Sequence, residues 1–180
     1  FFEDFIGNIL LTWSKASQGN KEDSLKFIKK IPNQYIHLTK IQNAFLQCFF
    51  DDKTTEKTFK ELIQDNNYNF SRYNFFLANY FLFKKKNDKA KIIIKNSRKE
   101  NRTNLLLKQS ENFLLNNENY RIKIFFDCQN PRDSISEFFY IIANLYSNEK
   151  DYQLSNFYLK ISLFLNDKFL PNKLLLAENY

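Results

Sequence analysis

The chain has 180 residues, with 27 Lys and Arg against 20 Asp and Glu, for a formal net charge of +7. Gly (2) and Pro (3) are scarce beside Phe (21) and Tyr (10), which disfavours the many tight turns of a barrel or sandwich. No apolar run approaches the roughly 18–20 residues of a membrane span, and no amino-terminal export signal is visible. Lys, Asn, Ile and Phe are abundant together, as in products of AT-rich genomes, so aromatic content alone decides little. A chain that opens on Phe and stops partway into a pattern reads as a fragment or mature segment of a longer protein. Its location is left open: periplasmic if an export signal precedes Phe1, cytoplasmic otherwise.

Residues 1–17 place Phe2, Phe5, Ile6, Ile9, Leu10 and Trp13 at helical spacing. Gly19-Asn20 breaks that stripe, and residues 23–31 carry another through Leu25, Phe27, Ile28 and Ile31 before Pro32. Thr12 and Ser24 take the close-approach positions of this helix–turn–helix. Residues 35–50 and 55–63 repeat the layout about Asp51-Asp52-Lys53. Ala44 lies 34 residues before Ala78, but that register puts Glu56 where a small residue is expected. Either the helix slips to Thr58 or the contact is loose. Residues 70–102 form a third unit with Ala78, Ala90 and Ser97, its second helix capped by Asn87 or Asp88. Residues 104–130 are degenerate: leucine-rich helix, an interruption at 116–119, then a short helix or extended connection over 120–126. From Ser134 the pattern returns, with Ile135, Phe139, Ile142 and Tyr146 on one face and Ser155, Leu159 and Ser162 on the next helix. Ser134-x-x-Glu137 fits a capping box after Pro131, and Pro171 suits the start of a following helix.

One arrangement recurs through these units. Ile142, Ala143 and Tyr146 stand 34 residues before Leu176, Ala177 and Tyr180. Leu77-Ala78-x-x-Phe81 matches Ile142-Ala143-x-x-Tyr146, and Ala90 and Ser97 follow Ala78 as Ser155 and Ser162 follow Ala143. The expected packing positions are therefore Ala78, Ala90, Ala143, Ser155, Ser162 and Ala177, where a large side chain would hold two helices apart. A 34-residue period of large, large, small, aromatic is the tetratricopeptide pattern. The chain resembles a tetratricopeptide-repeat protein, with Phe139 in the usual place of Trp, Ala143 of Gly and Asp167 of Pro. Leu11-x-Trp13 before Gly19, Asn87-Asp88-Lys89-Ala90, and Leu163-x-Leu165-x-Asp167-x-Phe169 resemble a bacterial, chiefly alphaproteobacterial, group of such proteins. The resemblance implies an all-α, right-handed superhelical solenoid with units at 1–32, 33–66, 67–102, 103–132 (degenerate), 133–167 and a partial 168–180. It also implies a binding and scaffolding role, and a periplasmic location in members that begin with an export signal.

By the same resemblance, first helices line a concave groove. Arg72, Phe75, Asn79 and Leu82 then face it in the third unit, and Glu137, Tyr140, Asn144 and Ser147 in the fifth. Asn79 and Asn144 each offer a donor and an acceptor to an extended peptide, and Phe75 and Tyr140 offer apolar anchors. A carboxylate clamp would need lysines where Phe75 and Tyr140 stand. The expected ligand is thus an internal segment or a folded protein, unless these residues are plain surface asparagines and core-edge aromatics.

Catalytic chemistry finds little support. His37 is the sole histidine and has no nucleophile signature or metal-ligand cluster around it. Gly7 and Gly19 cannot form a glycine-rich phosphate loop. Cys48 and Cys128 lack CxxC spacing and read as small core residues rather than a disulfide or metal site. No catalytic residue, cofactor or metal is expected. The strongest charge feature is Lys84-Lys85-Lys86 with Lys89, Lys91, Lys95, Arg98, Lys99 and Arg102. Lys84, Lys85 and Lys86 are candidate anion-binding residues, and a nucleic-acid or anionic-surface binder through 84–102 is the first alternative. A solvated helix face is the plainer reading, since Ile92, Ile93 and Ile94 are committed to packing rather than base stacking. An enzyme on a helical-repeat scaffold, centred on His37, is the second alternative. The expected partner is a protein or peptide, nucleic acid is disfavoured, and the oligomeric state is not set.

Overall fold

The structure, a computed structural model, describes residues 2–65 and 71–180. Phe1, Phe70 and the expected unit boundary at 66–67 lie outside the described residues. Among the described residues the chain is all-helical, without strands. The helices are α1 (Phe2–Ser17), α2 (Lys21–Lys29), α3 (Ile36–Phe49), α4 (Thr55–Gln64), α5 (Ser71–Phe83) and α6 (Asn87–Glu100). They continue with α7 (Leu105–Leu115), α8 (Tyr120–Phe125), α9 (Pro131–Asn148), α10 (Tyr152–Leu165) and α11 (Leu170–Glu178).

Neighbouring helices pair as α1/α2, α3/α4, α5/α6, α7/α8 and α9/α10, and their turns share one construction. Gly19, Asp51, Lys85, Asn117 and Lys150 adopt φ of +77°, +49°, +58°, +59° and +64°. In each turn this residue donates to the carbonyl three back, as in Gly19 N to Ala16 O (2.8 Å) and Lys150 N to Ser147 O (2.9 Å). The next residue donates five back, as in Asn20 N to Lys15 O (3.0 Å) and Asp151 N to Tyr146 O (2.9 Å). This is the Schellman closure, which satisfies carbonyls that a helix end leaves bare. A left-handed lysine costs roughly 1–2 kcal/mol locally. Lys85 and Lys150 hold that conformation because the packed helices on either side over-determine the turn.

Small residues sit inside the pairs. Thr12 and Ser24, Ala44 and Thr55, Ala78 and Ala90, and Ala143 and Ser155 are all 0% exposed. Where the small residue carries a hydroxyl, a carbonyl of its own turn takes the proton: Asn8 O for Thr12 (2.7 Å), Asn20 O for Ser24 (2.6 Å) and Asp52 O for Thr55 (2.7 Å). Each hydroxyl is buried without losing its hydrogen bond. In the second pair the small residue is Thr55, neither Glu56 nor Thr58. That one-residue shift carries Glu56 to the surface, where Lys60, Lys86 and Lys89 meet it.

Several local expectations are corrected. Helix α6 begins at Asn87 with Lys86 as N-cap and no side-chain cap, so neither Asn87 nor Asp88 serves. Helix α9 starts at Pro131, and Asn130 Oδ1 accepts from Arg132 N (3.2 Å). Ser134 and Glu137 therefore lie within the helix instead of forming a capping box. Ala177 is exposed, because α11 buries Pro171, Asn172 and Leu175, and the small-residue register stops at α10.

The pairs do not simply stack in chain order. Helix α9 packs on α10 and α11 but also returns to α1 and α3. Phe138 meets Phe5 edge to face (5.3 Å between centroids). Trp13 Nε1 donates to Gln42 Oε1 (2.7 Å), and Gln42 Nε2 donates to Ser134 O (3.3 Å). Phe45, Phe76, Phe126 and Phe169 join rings from four parts of the chain, with Phe76 and Phe126 4.6 Å apart. Cys48 and Cys128 form a disulfide across 80 residues, Cα atoms 5.9 Å apart, between the end of α3 and the segment leading into α9. Both are buried as expected (0% and 2%), but their pairing overturns the expectation of separate core thiols.

Candidate functional site

The expected groove positions are largely consumed by the chain itself. Phe75 (0%), Asn79 (1%), Leu82 (9%) and Glu137 (0%) are buried, which removes them as groove-lining contacts for a partner. Arg72 Nε donates to Glu137 Oε1 at 2.6 Å, joining α5 to α9. The guanidinium lies 5.3 Å from the Tyr140 ring and 5.4 Å from Tyr73. Burial pushes the Glu137 carboxyl above the usual carboxylate range, and the Arg72 charge pulls against it. Asn79 Nδ2 donates to Phe126 O at 2.6 Å, so its amide supports the approach to α9 rather than a foreign peptide. Tyr140, Asn144 and Ser147 are half-buried. Ser147 Oγ donates to Asn179 Oδ1 (2.7 Å), which ties α9 to the end of α11. Beside Arg72 a cleft of about 330 Å³ opens among Ser71, Asn104, Tyr140, Leu175 and Glu178.

The basic segment is also answered from within. Lys84 Nζ sits 2.7 Å from Asp51, Lys86 and Lys89 lie 3.4 Å from Glu56, and Arg98 lies 3.5 Å from Glu111. The Lys60 hydrogen bond and charge, followed by Lys89, hold the Glu56 carboxyl down at about 2, against its partial burial. Lys85 is exposed at the left-handed turn position. Much of this positive surface thus joins consecutive hairpins. His37 lies half-buried in α3, and no group of three or more His, Cys, Asp or Glu among the described residues is placed to hold a metal. No described helix is long and apolar enough to cross a membrane.

The surface that sequence reasoning passed over is the outer face of α10. Leu154 (39% exposed), Phe157 (57%) and Phe164 (79%) stand out from the helix, with half-buried Ile161 between the two phenylalanines. On the opposite side Ser155, Leu159 and Ser162 are fully buried. The Ser162 hydroxyl donates to Ser136 O (2.6 Å), and Ser136 to Ser162 O (2.9 Å), locking α10 onto α9. The outer stripe continues past Phe164 to a groove of about 560 Å³ that Ile124 of α8 also lines, with Arg132, Asp133 and Lys168. Asp133, almost buried, takes Asp127 N–H at 2.8 Å. Burial raises its carboxyl to about 7, with the Asp127 charge adding to the shift and the Asp127 N–H opposing it. Spacing of three, four and three residues through Leu154, Phe157, Ile161 and Phe164 was the available signal.

The fold thus defines an all-α chain of paired helices closed around its own ninth helix. Comparison with protein-family models, with curated proteins and with solved structures finds no match.

Proposed function

We propose that this chain is a non-catalytic protein-interaction and scaffold module made of tetratricopeptide-type helical hairpins, with its binding surface on the outside. The recurring small residues and the five like-built turns support the repeat assignment. The observation that carries the reading is the exposed apolar stripe on α10, backed by a helix face fixed in the interior. Rigid scaffolds that present large apolar side chains outward mark surfaces for other proteins. The ordered inner face, filled by α9, leaves no open concave trough for an extended peptide.

A photo-crosslinking amino acid placed one position at a time in the full chain tests this, at Phe157, Ile124, Ile92, Leu10 and the interior Phe75. On irradiation in extract of the cells that make the protein, polypeptide adducts are expected from outer positions and none from Phe75. Adducts from Phe75 alone would return binding to the inner face. No polypeptide adduct from any outer position would overturn the module reading.

A further inference from the structure

We infer that the α10 stripe docks one amphipathic α-helix of a partner protein whose apolar seam is flanked by carboxylates. The inference rests on the module reading and names the partner's chemistry. Leu154, Phe157, Ile161 and Phe164 follow the alternating three- and four-residue step of a helix–helix seam, which keeps a narrow apolar line facing a second helix. The helix is apolar on its inner side as well, and helices apolar all round are ordinarily covered on both sides. Here the inner side is covered by α9 and the outer one is bare.

Charge decides among occupants. Lys160 is the single charged residue of α10. At the end of the stripe Arg132 donates to Phe164 O (3.1 Å) with its guanidinium 5.7 Å from the Phe164 ring. Nearby carboxylates are taken: Asp167 by Lys168 (2.6 Å), Asp127 by Lys123 (3.9 Å), and Asp133 is nearly buried. The stripe is therefore bordered by cations, which favour acidic flanks on the occupant. A second copy across a two-fold axis would set Lys160 and Arg132 against their own equivalents, a like-charge arrangement. A membrane-surface helix would carry a strongly basic polar face, where α10 has a single lysine.

The test titrates the full chain, at low and at physiological salt, with two synthetic helical peptides. Both carry leucine along one seam, flanked by glutamate in one peptide and by lysine in the other. The glutamate peptide should bind saturably, on the order of tenfold tighter than the lysine peptide, and lose part of that advantage as salt rises. Phe157→Glu with Phe164→Glu should abolish binding at an unchanged unfolding midpoint, and Lys160→Glu should shrink the preference for glutamate. Failure of the glutamate peptide to saturate, equal affinity for both peptides, or full binding by the double variant would overturn the inference. So would dimerisation of the chain that the double variant abolishes, or binding to vesicles of anionic lipid without peptide binding. Outer crosslinks to proteins that persist in the double variant would sink this assignment and leave the module reading standing.

Discussion

The hairpin α5/α6 and the hairpin α9/α10 share one interior and have opposite exteriors. Offset by 65 residues, Ala78 matches Ala143, Ala90 matches Ser155 and Ser97 matches Ser162, and all six are buried. On the outer faces Lys89 answers to Leu154, Asn96 to Ile161 and Lys99 to Phe164. Lys89 lies in an ion pair with Glu56, whereas Phe164 is 79% exposed. Close backbone approach admits few residue types, so the inner positions repeat. Outer positions are free of that constraint, and there the two hairpins diverge. Even their first helices are complementary, since Arg72 and Glu137 occupy matched positions and meet each other.

The strongest way to break the comparison is to cut the link that holds the later hairpin in place. Replacing Cys48 and Cys128 by alanine should lower stability by about 2–5 kcal/mol in chemical denaturation, through the loss of an 80-residue closure. An unchanged denaturation midpoint would show that the bond is not holding the entry to α9.

A smaller effect tests the shared interior directly. Ala78→Phe and Ala143→Phe should each cost about 1–3 kcal/mol by overpacking, to a similar extent in the two hairpins. A cost at one site alone would dissolve the matched register.

Acidity should separate the two regions in sign. Asp133, raised to about 7, keeps its proton in the folded chain where an unfolded aspartate has lost it. Its contribution is present below pH of about 4 and is lost as pH rises to about 7. Glu56, beside α6, is lowered to about 2, so its contribution is present above pH of about 4.5 and is lost as pH falls toward 2. Unfolding midpoints against pH should therefore lose the near-neutral slope in Asp133→Asn and the acidic slope in Glu56→Gln.

The smallest effect is expected outside. Exchanging the outer residues, as Lys99→Phe or Phe164→Lys, should leave stability within about 0.5 kcal/mol. Phe164→Lys should nonetheless change peptide binding, which a merely solvated side chain would not.

The small residues were legible because a 34-residue interval survives composition bias: Ala44, Ala78 and Ala143 are all in the interior. The turns were legible only at Gly19, since Asp51, Lys85, Asn117 and Lys150 adopt the same left-handed backbone without glycine as a marker. Ala177 misled because periodicity continues in the letters after the helix contacts have changed. The contacts closing α9 onto α1 and α3 run through Trp13, Gln42 and Ser134, far apart in sequence, and no local period announces them. For the same reason Arg72 and Glu137 read as separate groove residues, and Cys48 and Cys128 as separate thiols. The outer stripe was present as spacing, but the resemblance directed notice to the first helices and away from α10.

The closing of the interior is tested most directly by a double-mutant cycle on Arg72→Met and Glu137→Leu, read by denaturant unfolding. Each single change should cost about 3–5 kcal/mol by stranding the other charge in the interior, and the double variant should recover much of that loss. Additivity to within about 0.5 kcal/mol would mean that the two side chains do not meet, that α9 does not occupy the inner face, and that the groove is open after all.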